Sequence, residues 1–152
     1  MVEPLSLSLD ELRSREGTDL GTSSWHLVTQ LHLDRFAAAT EDWERIHIDP
    51  ETAARTRLGT TIAHGLYTLS LGPKFMLEIF RLNGHSLGLN YGYNSVRWVH
   101  PVPVWSRLRM RAELTGVAPI DGGSKCSFRQ TFELEGSEKP ACVANAIVAW
   151  FD

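Results

Sequence analysis

The chain has 152 residues, long enough to bury a real core and too short for two ordinary domains, so residues 1–152 read as one domain. Hydrophobic residues make up 43% and charged residues 22%, and the formal charge is −3. That balance excludes a broad basic surface for nucleic acid.

No apolar run approaches the ~18–20 residues that span a bilayer, so no membrane contact is expected. Met1 to Asp10 lacks a basic stretch followed by an apolar one, so it does not read as a secretory signal. Cys126 and Cys142 sit in strand-like segments without CxxC or Cys/His ligand spacing. Reduced thiols in a cytoplasmic protein and no metal site are the simplest expectation.

In chain order, Ser8 with Glu11 fits a capping box, and Gly17 fits the stop of a short helix. Trp25 to Val28 is a short strand candidate. Thr29 then caps a helix over Gln30–Ala39, with Leu33, Phe36 and Ala37 on one face. Trp43 to Ile46 reads as a connecting turn. Asp49 and Pro50 suit the cap and first turn of a helix over Glu51–Arg57 that stops at Gly59. A longer apolar helix runs from Gly65 to about Arg81, with Pro73 bending or breaking it.

After Asn83-Gly84 the chain turns to strand. Leu87–Val99, Val104–Val117, Ser124–Glu135 and Ala141–Phe151 are separated by Pro101/Pro103, by Asp121-Gly122-Gly123, and by Gly136 with Pro140. Such glycine pairs are hairpin signals, so the second half reads as an antiparallel meander. Arg107, Arg109 and Arg111 alternate on one strand and read as a solvated face. A long helix before a meander predicts an α+β architecture, a sheet curled around that helix.

The segment most suggestive of chemistry places Asp42 and His47 five positions apart. A carboxylate beside an imidazole, the side chain whose ordinary titration lies near neutrality, is a minimal acid/base pair. Ala63-His64-Gly65 opens the long helix, and a helix N-terminus offers unpaired N–H groups to developing negative charge. Each residue also has a plainer reading: Asp42 as a turn brace, His47 as a hydrogen-bonded structural histidine, His64 as packing, Asp49 as a cap. Ser70 can be helix surface, and Tyr91 plain sheet packing.

Phe36-Ala-Ala-Ala-Thr-Glu-Asp42-Trp-Glu-Arg-Ile-His47-Ile-Asp-Pro50, followed by Thr61-Ile-Ala-His-Gly65, resembles the MaoC-like dehydratases. These are the R-specific enoyl-CoA hydratases of the hot-dog fold, and the chain looks closest to their nodulation-protein-N-like branch. Further resemblance lies in Gly21-Thr-Ser-Ser-Trp25, Asn90-Tyr-Gly92, Val96-Arg97, Pro101-Val-Pro-Val104 and Lys139-Pro-Ala-Cys-Val143, from about residue 17 to the C-terminus.

The resemblance implies a hot-dog domain, a curved antiparallel sheet wrapped around a central helix. It implies reversible addition of water to trans-2-enoyl thioesters, giving (R)-3-hydroxyacyl thioesters. Asp42 and His47 would hold and activate the water, and the Gly65 N–H would bind the thioester carbonyl. His64, Ser70, Asn90 and Tyr91 are the candidate substrate-binding residues. No cofactor is implied beyond the coenzyme A or related thioester that carries the substrate, and the assembly implied is a homodimer or a dimer of dimers.

The chain also departs from the family pattern. Glu41 replaces the usual glycine before the catalytic aspartate, and Trp105 replaces the glycine that often follows Pro-Val-Pro-Val. Trp43, Glu44 and Arg45 replace small or amide residues, and Arg97-Trp98-Val99-His100 replaces an Arg-Phe and small-residue stretch. This bulk and charge keeps two other readings open: a repurposed or engineered, non-catalytic ligand-binding module, and a hot-dog thioesterase.

Overall fold

A computed structural model describes residues 3–151. The N-terminal half is a chain of short elements whose ends are set by local chemistry. Strand β1 (Leu5–Leu7) leads into α1 (Leu9–Arg13), which Ser8 and Glu11 cap reciprocally, as their spacing predicts. Strands β2 (Asp19–Thr22) and β3 (His26–Leu27) follow. Helix α2 (Gln30–Thr40) is capped by Thr29, whose hydroxyl accepts the His32 N–H. Next come α3 (Arg45–Ile48) and α4 (Pro50–Ala54), with Asp49 capping α4.

The stretch expected to be a bare turn therefore contains a helical turn, α3. The Asp49 N–H donates to the Arg45 carbonyl, and the Arg45 guanidinium returns to the Asp49 carboxylate at 2.6 Å. This local pair closes the turn that the polar composition had suggested would stay open.

The long helix is broken in two, α5 (Gly65–Ser70) and α6 (Gly72–Ile79), with Leu71 between them. Pro73 lies in the first turn of α6, where its missing N–H costs nothing. Phe80 and Arg81 are not helical as expected: they lie in β4 (Phe80–Leu82), which pairs in parallel with β1.

Four long strands complete the chain: β5 (Leu87–Trp98), β6 (Arg107–Ile120), β7 (Gly123–Leu134) and β8 (Cys142–Phe151). The order across the sheet is β2-β6-β7-β8-β5, with β3 also pairing β6. Only β6, β7 and β8 form the expected meander. Strand β5 crosses to the far side and pairs β8, leaving its other edge unpaired among the described residues. Strand β6 starts later than expected, because Pro103 and the left-handed Trp105 (φ 68°) hold the chain off the ladder until Arg107.

The sheet's inner face is written in alternation. Leu108, Met110, Ala112 and Leu114 of β6 are fully buried, as are Cys126 and Phe132 of β7. They close over α6, whose Phe75 is also fully buried and meets Phe132 at 6.3 Å between ring centroids. The fold is thus α+β, a curved antiparallel sheet around a helical axis. Both cysteines are free and buried, and burial pushes each thiol up to about 11. The outer arginines pair with acids, Arg107 with Glu135 and Arg109 with Glu133, as a solvated face should. No helix among the described residues is long and apolar enough to cross a membrane.

Candidate active site

Helix α2 ends at Glu41, whose backbone is left-handed (φ 59°), and that reversal throws Asp42 out of the helix. The Asp42 side chain is 52% exposed. One turn later, α3 carries His47 back beneath the start of α5. His47 Nδ1 lies 2.7 Å from the Ile62 carbonyl. A carbonyl only accepts, so Nδ1 carries a proton and Nε2 is the ring nitrogen left for another partner.

Gln30 steadies this turn from below. Its amide nitrogen donates to the His47 carbonyl at 2.8 Å, and its amide oxygen accepts from the Thr61 hydroxyl at 2.6 Å.

His64 is almost fully buried. Its ring stacks on His47 at 3.8 Å between centroids and meets Phe36 of α2 at 5.0 Å. Its Nε2 donates to the Asp42 backbone carbonyl at 3.1 Å. Burial lowers its pKa, partly offset by that carbonyl, so the ring is neutral at neutral pH. The 4.0 Å approach of His64 Nε2 to the Asp42 carboxylate is accordingly not an ion pair. His64 acts on Asp42 through the backbone and holds the reversal in place.

Asp42, His47 and His64 each offer an atom within 4.8 Å of the others, a donor set that could also hold a metal ion. The known commitments of Nδ1 in His47 and Nε2 in His64 to backbone carbonyls leave one nitrogen on each ring for any other partner.

Gly65 is the first residue of α5, so its N–H has no partner within the helix. A Cβ built there would sit 2.6 Å from Trp98 Nε1, so only glycine lets the indole of β5 lie against this backbone. A pocket of about 460 Å³ opens here, walled by His47, Gly65, Leu66, Trp98, His100 and Val102 among others. Its wall is mostly apolar, with the imidazole of His47 and the start of α5 set into it.

The structure brings Asp42, His47, His64 and Gly65 together. It places Ser70, Asn90 and Tyr91 elsewhere within the chain. The Ser70 hydroxyl donates to the Tyr67 carbonyl at 2.7 Å. Asn90 donates to the Tyr93 hydroxyl beside a second pocket, and Tyr91 is exposed on β5. Two contributors were not picked out from sequence, Gln30 and the Ile62 carbonyl. Ile62 lies within the Thr61–Gly65 motif, whereas Gln30 shows no sequence signal beyond its place at the start of α2.

The chain has a hot-dog architecture, a curved sheet around a broken axial helix, with Asp42 and His47 near an apolar pocket that His47 and the start of α5 line. Residues 11–133 match the model of the MaoC like domain, and the chain belongs to that family. It is 44% identical to 3-hydroxyacyl-thioester dehydratase Z of Mycobacterium tuberculosis over 144 residues, 94% of this chain and 95% of that protein. It is 39% identical to nodulation protein N of Rhizobium leguminosarum bv. viciae, over 93% of this chain and 89% of that one. Among solved structures, the MaoC-like dehydratase of Rhodospirillum rubrum superposes with a TM-score of 0.77 at 20% identity, covering 95% of this chain and 97% of that one.

Proposed function

We propose that this chain hydrates trans-2-enoyl thioesters to (R)-3-hydroxyacyl thioesters, and dehydrates them in reverse, with Asp42 and His47 as the catalytic pair. The observation that carries this reading is the convergence of Asp42 and His47 beside a pocket that Gly65 also lines. The printed name of the Mycobacterium tuberculosis relative, a 3-hydroxyacyl-thioester dehydratase, supports the substrate class.

The chemistry follows from the positions. A water held between the Asp42 carboxylate and His47 Nε2 loses a proton to Asp42 as its oxygen bonds to C3. The C2=C3 π electrons move toward the thioester oxygen, and the Gly65 N–H stabilises the enolate-like charge there. Asp42 then returns the proton to C2, so one water is consumed, the thioester oxygen loses its negative charge and Asp42 ends as the carboxylate it began. Neither a metal nor an organic cofactor enters any of these steps. The thioester carrier is coenzyme A or a related group, and the protein acts in the cytoplasm.

The test is hydration of crotonyl-CoA, followed by loss of the enoyl absorbance, in the presence of a chelator. Asp42→Asn should lower turnover by ~10²–10⁴-fold with the circular dichroism spectrum unchanged. Wild-type turnover in that variant, or loss of turnover on chelation, would sink the mechanism.

The Trp98 indole lying on Gly65 favours one second reading, a pocket that binds acyl ligands without turning them over. Absence of hydration across a graded series of enoyl-CoAs, with binding retained, would establish it.

The same reading includes a two-fold assembly. The free edge of β5 carries Leu87, Leu89, Tyr91 and Trp98, all exposed. An unpaired edge with apolar side chains is a template for a second copy of the same strand.

A further inference from the structure

Three buried side-chain polar atoms lack a hydrogen-bond partner among the described residues: His64 Nδ1, His85 Nδ1 and Gln130 Oε1. The first belongs to the site above. The other two line one and the same cavity, separate from the first, between α6 and the β5–β8 side of the sheet. This cavity also measures about 460 Å³, within the range of small-molecule sites. Met76, Phe80, Leu82 and Val148 give it apolar walls, and Arg81 is exposed at its mouth.

Leaving a polar atom buried and unpaired is destabilising, because its hydration is lost and nothing replaces it. Gln130 is only 3% exposed, on the inner face of β7 between the apolar Phe128 and Phe132. Its amide oxygen lies 3.2 Å from the Cβ position that Gly72 leaves vacant. Any side chain at residue 72 would press on the amide, so the missing Cβ leaves room for it. His85 packs edge-on to Trp150 at 6.2 Å and lines the same cavity. A cavity meant only for hydrocarbon would not carry two such atoms.

We propose that this cavity is a binding site for an apolar chain or ring system bearing a hydroxyl or similar donor group, which Gln130 and His85 recognise. The hydroxyl hydrogen goes to Gln130 Oε1 and the hydroxyl oxygen accepts from His85 Nδ1 in its Nδ1–H tautomer, while the carbon skeleton displaces poorly held water from the apolar walls. An anionic end, where the ligand has one, lies at the mouth beside Arg81. A free hydroxylated amphiphile and the acyl part of a thioester share this chemistry.

Calorimetric titration with ω-hydroxydecanoate and with decanoate isolates the donor, since the two differ in one hydroxyl. Wild type should bind the hydroxylated acid roughly three- to tenfold tighter, the effect of one net hydrogen bond. Gln130→Met, which keeps the volume and removes the acceptor, should abolish that preference. His85→Phe, at a less buried position, should reduce it.

Equal affinity for the two acids in wild type, or an unchanged preference in both variants, overturns the proposal. Displacement of the bound acid by ω-hydroxydecanoyl-CoA assigns the cavity to the acyl part of a thioester. Failure to displace it assigns the cavity to a free amphiphile. The binding heat needs no turnover, so failure here leaves the hydratase reading standing, and an inactive Asp42 would leave this cavity intact.

Discussion

Among the described residues, two carry left-handed backbone without being glycine, Glu41 at φ 59° and Trp105 at φ 68°. Both are positions where the family resemblance leads one to expect glycine, and a left-handed backbone is what glycine adopts most readily. At Glu41 the chain must reverse out of α2 to present Asp42. At Trp105 it must turn so that its N–H reaches the Val28 carbonyl at 2.7 Å before β6 begins. A side chain in that conformation costs roughly 1–2 kcal/mol, partly offset by the stiffer unfolded chain. Glu41→Gly and Trp105→Gly should therefore each stabilise by about 1 kcal/mol, raising the thermal midpoint by about 2–4 °C. The two sites lie on separate segments, one at the end of α2 and one before β6, and their effects should add. A fall in midpoint on either change would show that the side chain offsets its own strain. The sequence displayed both departures, but the positive φ that gives them meaning is a property of the folded path.

His64 sets a pH dependence at the same scale. Its folded pKa is lowered, by burial first and by the neighbouring His47 in part. Below its ordinary value near 6.5 the unfolded chain takes up a proton that the folded chain resists. Its contribution is therefore complete above that value and is lost as pH falls toward the lowered folded value. His26, also lowered by burial, acts in the same direction. Denaturant midpoints should drop between pH 7 and pH 5, roughly spanning the ordinary histidine range. In His64→Phe, which removes the titrating group and keeps an aromatic ring, the drop should shrink. An identical slope in that variant would reject His64 as the source.

At the scale of elements, legibility followed locality. Ser8, Thr29 and Asp49 announced their helices because each cap is a bond to a backbone N–H three residues on. Asp42, His47 and Gly65 were legible for a similar reason, since two short segments hold all three. Trp98 reaches the site from a strand remote in sequence, and no local pattern places its indole on Gly65. The pairing of β5 with β8 was likewise hidden, because register is fixed by partners and not by the strand itself. The broken axial helix lies between these cases. Pro73 forecast the break, but the conversion of Phe80 and Arg81 to strand depends on β1, some 75 residues earlier in the register Leu5–Phe80. Helix α6 is held by burial, with Phe75 fully enclosed between Phe132 and His26. Phe75→Ala should cost about 3–5 kcal/mol in denaturant titration. A cost below about 1 kcal/mol would mean that the sheet collapses onto the space, contrary to a rigid axis.

For the whole molecule, the question is what covers β5. The strand is twelve residues long and mostly exposed, and its free edge runs past both cavities, Trp98 at one end and Gly88 with Leu89 at the other. A long unpaired edge of this kind is an aggregation hazard unless something pairs it. Its own copy does so most simply, because an antiparallel two-fold contact satisfies both edges at once. Such a contact brings the Trp98 end of one strand toward the Leu89 end of the other, so the first cavity of one protomer faces the second cavity of its partner. Assembly and turnover are then linked. Leu87→Glu with Tyr91→Glu puts charge on the edge without touching either cavity wall. In sedimentation velocity the wild type should run as a dimer or larger, and the double variant should shift to monomer with turnover reduced. A wild type that sediments as a monomer and still hydrates crotonyl-CoA would remove the edge from the mechanism. A double variant that stays dimeric would move the two-fold contact to another face.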